Sequence, residues 1–209
     1  TMIAPILMYG CEVWGIENVD VIDRFQLKFY KLVLKLKQST PNCMLYGDLG
    51  VLPLSVQINS RILCYWNKIL NSKHEKISHV LYKTSYKLLN NNTVKLPWVT
   101  YVHNLLNSLG MSNYWINNIP TSLFCFKKMV KTKLKDQYMQ NWHSTITDSG
   151  KCLNYKMYKQ EFKFEKYLEI LPNHLANIIL RFRCMNHKLP IEKGRFFNIP
   201  RDKRNFNLF

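Results

Sequence analysis

Apolar residues in this chain recur at helical spacing over most of its length, and the first clear case is the segment from Asn18 to about Lys37. There Ile22, Phe25, Phe29, Leu32, Val33 and Leu36 step by three and four residues, while Arg24, Lys28, Lys31 and Lys35 form the opposite stripe. That arrangement predicts an amphipathic helix with the apolar stripe turned to the core. Asn18, Asp20 and Asp23 mark its start, a capping side chain followed by acids in the positive first turn.

From Pro41 a short helix is expected to Asp48, then a turn over Gly50 to Pro53, then a second helix from about Leu54 to Leu70. Helix, tight turn, helix has the outline of a DNA-reading element. The second helix, however, carries only Arg61 and Lys68 against Val56, Ile58, Ile62, Leu63, Tyr65, Trp66 and Ile69. Its composition is that of a core helix.

Another amphipathic helix is predicted over Lys76 to Leu89, ended by Asn90, Asn91 and Asn92. Pro97 then stands at a first helical turn leading Trp98 to Leu109, with Gly110 as the left-handed terminating residue. Thr121 opens the longest helix, to about Ile146, in which Phe126, Val130, Leu134, Tyr138 and Trp142 repeat every four residues. A last helix is expected from about Asn173 to Cys184. No long strand alternation and no internal repeat is present, so the expected fold is all-α. It would hold about eight helices in an irregular bundle with short loops and a basic C-terminal tail. The Asn run suggests a subdomain boundary, 1–92 with the helix-turn-helix-like segment and 93–209 with the tail, although one continuous domain fits the same pattern.

Composition adds a partner to this outline. Of 209 residues, 47% are apolar, enough to bury a core, and 30 Lys and Arg face 13 Asp and Glu, a formal charge of +17. Four of those acids lie before residue 24, so the basic character belongs to the body of the chain. A surplus of this size favours polyanionic partners, nucleic acid or an acidic membrane surface. The six cysteines stand singly with no C-x-x-C pair, which argues against a zinc framework or a disulfide scaffold and favours free thiols in a reducing compartment.

The longest apolar run, Met2 to Cys11, is broken by Pro5 and falls short of the roughly 20 residues needed to span a bilayer. No basic n-region of a secretory signal precedes it. The first residue is Thr1, which fits a fragment of something longer.

Catalytic chemistry has no visible seat. No two acids are adjacent, and the pairs Asp20 with Asp23 and Glu161 with Glu165 are explained by helix-dipole and i, i+4 pairing better than by a two-metal site. The six histidines lack metalloprotease spacing, and neither a nucleophile elbow nor a phosphate-cradling glycine loop occurs. Cys184 and His187 form one half-site without a second pair. No cofactor, metal or small-molecule substrate is therefore expected.

Two basic segments remain. Arg181, Arg183, Lys188, Lys193, Arg195, Arg201, Lys203 and Arg204 are interleaved with Phe182, Phe196, Phe197, Phe206 and Phe209, a blend that suits phosphate gripping and base stacking on RNA. Its plainer reading is a basic helix and tail tucked against the core. Five lysines within nine residues, Lys127, Lys128, Lys131, Lys133 and Lys135, flank the seam of the longest helix. Lys127, Lys128, Lys131 and Lys135 are the second set of candidate nucleic-acid contacts, with plain solvation as the alternative.

Several phrases carry a resemblance. Met2 to Gly15 (MIAPILMYGCEVWG), Leu45 to Leu54 (LYGDLGVLPL), Asp136 to Trp142 (DQYMQNW), Leu153 to Lys159 (LNYKMYK) and Leu180 to Arg195 (LRFRCMNHKLPIEKGR) cover essentially the whole chain. In order and spacing they resemble the region after the thumb in reverse transcriptases of non-LTR, LINE-type retrotransposons. The resemblance implies a parent RNA-directed DNA polymerase with an endonuclease and palm upstream, and a helical post-thumb region that helps to hold template RNA and target DNA. The family's aromatic-Ala-Asp-Asp turn would lie before Thr1, so no catalytic residue is carried over and this chain is not expected to be an enzyme. Nucleic acid, RNA before DNA, and the upstream polymerase domain are the implied partners, with no membrane. The implied location is intracellular, in the nucleus or in a ribonucleoprotein.

The family continues into Arg-x-x-Arg-x-Cys-x-x-Cys, half of a zinc knuckle. Arg201 and Arg204 match, but Phe206 and Phe209 stand where the cysteines would be, and Phe cannot ligate zinc. The alternative to a working nucleic-acid-binding fragment is accordingly a decayed relic of such an element, binding polyanions through bulk charge. A third reading, a basic amphipathic protein of membrane surfaces, rests on the Lys-flanked helix.

Overall fold

The computed structural model describes residues 3–17, 19–90, 96–187, 194, 197–200 and 203. Twelve α-helices follow one another among them: α1 (Ile3–Leu7), α2 (Cys11–Trp14), α3 (Val19–Val33), α4 (Asn42–Leu49), α5 (Leu54–Leu70), α6 (Ile77–Asn90), α7 (Pro97–Ser108), α8 (Ser112–Asn117), α9 (Leu123–Asp148), α10 (Tyr155–Tyr158), α11 (Tyr167–Ile170) and α12 (Asn173–Arg183). A 3-10 turn, Gly150–Cys152, lies between α9 and α10. The fold is all-α. Extended pairing among the described residues is limited to an isolated antiparallel bridge between Leu49 and Phe164.

The count of about eight helices is corrected upward, and the reason is length. Helices α1, α2, α10 and α11 have four or five residues each, barely one turn, which leaves no periodicity to read.

The chain divides into two compact units, residues 1–26 with 52–140, and residues 27–51 with 141–209. They are interleaved in sequence, and α4 and α5 of the expected helix-turn-helix fall in different units. The boundary expected at 92/93 lies outside the described residues, as do Asn18 and the basic residues Lys188, Lys193, Arg195, Arg201 and Arg204.

The core of the first unit is built around α5, which packs against α2, α6 and α7. Ile58, Ile62, Leu63 and Trp66 of α5 are buried together with Val102 and Leu106 of α7 and with Phe126 and Val130 of α9. α5 follows Pro53, which has no side-chain cap to offer, so its first amides are capped from α3. The Leu54 N–H donates to Gln26 Oε1 at 3.1 Å and the Ser55 N–H to Asp23 Oδ1 at 2.9 Å. Burial pushes the Asp23 carboxyl up, against the pull of its hydrogen bonds from Ser55.

Asn67 closes a second polar clamp inside this unit. Its Nδ2 donates to the Thr121 carbonyl at 3.0 Å, and its Oδ1 accepts the Thr121 N–H at 3.3 Å. This clamp holds the start of α9 against α5.

The α3 stripe differs from expectation. Phe25, Phe29, Leu32 and Val33 are exposed, whereas Gln26, Leu27 and Lys31 are buried. Polar anchoring accounts for it: Gln26 caps α5, and within the second unit Lys31 Nζ donates to the carbonyls of Gln38 and Thr40 and to Asn42 Oδ1 at 2.8, 2.7 and 2.9 Å. Three short hydrogen bonds offset the burial of the amine, which lowers its pKa. The helix also ends earlier than expected, because Lys35 is left-handed (φ 51°) and Leu36 N–H bonds back to Lys31 O. The same closing pattern recurs at Gly110, as expected, and at Met185.

Candidate nucleic-acid interface

Phe126, Val130 and Leu134 repeat every four residues along α9 and are buried. Lys127, Lys131 and Lys135 each follow one of them, so they form a parallel row just beside the seam, about 6 Å apart along the axis. Opposite this row, α5 presents Arg61, Cys64, Tyr65 and Lys68.

Between the two lies an open groove of about 700 Å³ within the first unit, its apolar lining including Leu52, Val56, Cys64 and Leu134. Five cations line it, Arg61, Lys68, Lys127, Lys131 and Lys135, with Glu12 as the acid among its lining residues. All five are exposed. Among the described residues none of the four lysines is ion-paired, and Arg61 Nη1 donates to the Met8 carbonyl at 3.0 Å. The thiol of Cys64 senses the row: burial raises its pKa, while its hydrogen bond with Ser60 and the charges of Lys127 and Lys131 oppose that rise.

Such a trough can follow a chain of phosphates with its rim while apolar ligand surface meets its floor. Of the candidate lysines, Lys127, Lys131 and Lys135 converge here. Lys128 is exposed on the same helix but does not line the groove. Arg61, Tyr65 and Lys68 escaped the sequence reading because two cations on a core helix look like ordinary solvation, and nothing local announces which lysine row they face.

The tail candidates are placed differently, all within the second unit. Arg181 Nη2 donates to the Lys35 carbonyl at 3.0 Å, which caps the end of α3. Arg183 grips the fully buried Asp48, and Lys203 is exposed. Lys188, Lys193, Arg195, Arg201 and Arg204 are outside the described residues.

Asp48 is the hub of a closed network. Its Oδ1 accepts from Arg183 Nη2 at 3.0 Å and from the Tyr155 hydroxyl at 2.7 Å, and its Oδ2 from Arg183 Nε at 2.9 Å and from the Tyr167 hydroxyl at 2.8 Å. The guanidinium also lies over both tyrosine rings. Glu165 adds a second carboxylate, paired with Lys159 and 3.5 Å from Arg183 Nη2. Burial, with the Asp48 charge behind it, drives both phenols well above the usual tyrosine range. Every lone pair of the carboxylate is engaged, so the cluster joins α4, α10, α11 and α12 and leaves Asp48 nothing with which to hold a ligand.

Among the described residues no group of three or more His, Cys, Asp and Glu side chains gathers to hold a metal ion, and no helix is long and apolar enough to cross a membrane. No family model, curated protein or solved structure matches the chain.

Proposed function

We propose that this chain is a non-catalytic nucleic-acid-binding region of a LINE-type reverse transcriptase, holding RNA or DNA along the groove between α5 and α9. The observation that carries the reading is the row Lys127, Lys131 and Lys135 facing Arg61 and Lys68 across an apolar floor. Supporting it are the phrases that resemble the post-thumb region and the overall charge of +17. The upstream polymerase domain is the proposed partner within the parent protein, and the basic tail is a second proposed contact.

The test is a titration of the full chain against a structured RNA and matched single- and double-stranded DNA across roughly 50 to 300 mM salt. A saturable complex that survives physiological salt, prefers one of the three, and is weakened by reversing Lys127, Lys131 and Lys135 together supports the reading. Equal, weak binding that vanishes with salt sinks it. That result favours a decayed relic, a reading to which the exposed Ile6, Tyr9 and Val13 on and around α1 and α2 lend weight as an aggregation-prone patch.

A further inference from the structure

Cys43, in the first turn of α4, and Cys152, closing the 3-10 turn after α9, belong to the same unit although 109 residues separate them. Their Sγ atoms lie 3.5 Å apart. Each is anchored by its backbone. The Cys43 carbonyl accepts the Trp142 indole N–H at 2.8 Å, and the Cys152 N–H donates to Ser149 O at 2.8 Å. Cys43 is partly exposed and Cys152 is buried, so a reagent from solution meets Cys43 first.

We propose that Cys43 and Cys152 are a redox modification site, forming a reversible intramolecular disulfide with a low-molecular-weight disulfide as oxidant. Cys43 Sγ loses its proton to solvent and attacks one sulfur of the oxidant, breaking its S–S bond and releasing the first small thiolate. The Cys152 thiolate then attacks Cys43 Sγ in the mixed disulfide and expels the second. The protein gives up two protons and two electrons, and the oxidant leaves as two thiols, each carrying one of those protons.

The geometry serves the second step, since Cys152 Sγ already lies 3.5 Å from the sulfur it must attack. In the reduced pair the shared hydrogen bond lowers the Cys152 pKa and, with burial, raises that of Cys43, so the first attack is the slower step. The third thiol of this unit, Cys184, is buried and pushed up by desolvation and by Asp48, so it does not compete.

The experiment incubates the full-length chain in graded mixtures of reduced and oxidised glutathione, blocks remaining thiols by alkylation under denaturing conditions, and maps the peptides by mass spectrometry. Expected is one cross-linked species joining the Cys43 and Cys152 peptides, lighter by two hydrogens, reversed by dithiothreitol, and populated at equilibrium at a lower proportion of oxidised glutathione than any species containing Cys125. Closing so long a loop also raises Tm by about 10 °C, a shift that reduction removes. Persistent glutathionylation of Cys43 without the cross-link, or alkylation of all six thiols throughout, overturns the proposal. The decisive map is made on the unaltered chain. The variant C43S, if folded, is expected to leave Cys152 unmodified, and glutathionylation of Cys152 there would overturn the assignment of Cys43 as the attacking sulfur.

Discussion

Arg183 holds Asp48 with two parallel hydrogen bonds, Nε to Oδ2 at 2.9 Å and Nη2 to Oδ1 at 3.0 Å, across 135 residues of sequence. Asp48 is completely buried and the Arg183 side chain is only 14% exposed, so removing either partner strands the other charge away from water. R183M and D48N are each expected to cost about 3 to 5 kcal/mol in denaturant unfolding. The double variant should cost less than the sum. Values below about 1 kcal/mol for both single changes would show that the network contributes little. The same geometry makes R183M a poor probe of nucleic-acid binding, since its primary effect is on the fold.

The tyrosines around Asp48 predict alkaline instability. In the unfolded chain Tyr155 and Tyr167 ionise near the ordinary value of 10.0, whereas the folded protein keeps both protonated through burial and the neighbouring carboxylate. Above that pH the unfolded state binds fewer protons than the folded one, so stability falls as pH rises. Each such group contributes a slope of up to about 1.4 kcal/mol per pH unit. The denaturant midpoint of Y167F should therefore decline less steeply than that of the unaltered chain between about pH 10 and 11. Parallel curves would contradict this.

Two lysines adjacent in sequence separate the groove from general charge. Lys127 lines the groove and Lys128 does not, although both are exposed on α9. K127E is expected to weaken nucleic-acid binding several-fold more than K128E and to flatten the salt slope by about one phosphate contact. Equal losses would mean that only net charge matters.

Glycines with nearly the same backbone predict unequal costs. Gly50 and Gly110 have φ of 58° and 65°, so alanine is strained at both. At Gly110 an added Cβ meets nothing within 4 Å, while at Gly50 it would collide with the Phe164 backbone nitrogen. G110A should cost about 1 kcal/mol in thermal or denaturant unfolding. G50A is expected to cost at least twice that, because backbone must move.

Helices α5, α6, α7, α9 and α12 were legible because each repeats its apolar positions over three turns or more, and Pro97 and Gly110 mark the ends of α7 by their own stereochemistry. The α3 stripe misled. Its phenylalanines match the template of a buried face, but tertiary hydrogen bonds of Gln26 and Lys31 set the orientation, and periodicity holds no record of an acceptor 11 residues away or a donor 28 residues away. Half of the groove was visible as the row Lys127, Lys131 and Lys135. Its other wall depends on how α5 packs, a long-range fact. The partnership of Asp48 with Arg183 was hidden for the same reason, so an arginine that reads as phosphate-gripping proves to be committed to the interior.

The indole that bonds the Cys43 carbonyl has an optical consequence. Trp142 falls in the second unit, whereas Trp14, Trp66, Trp98 and Trp115 all fall in the first. Emission from the buried Trp142 therefore reports the second unit alone, and a W142F difference spectrum isolates it. Loss of that signal ahead of the other four would resolve the melting of one unit from that of the other, with no label attached.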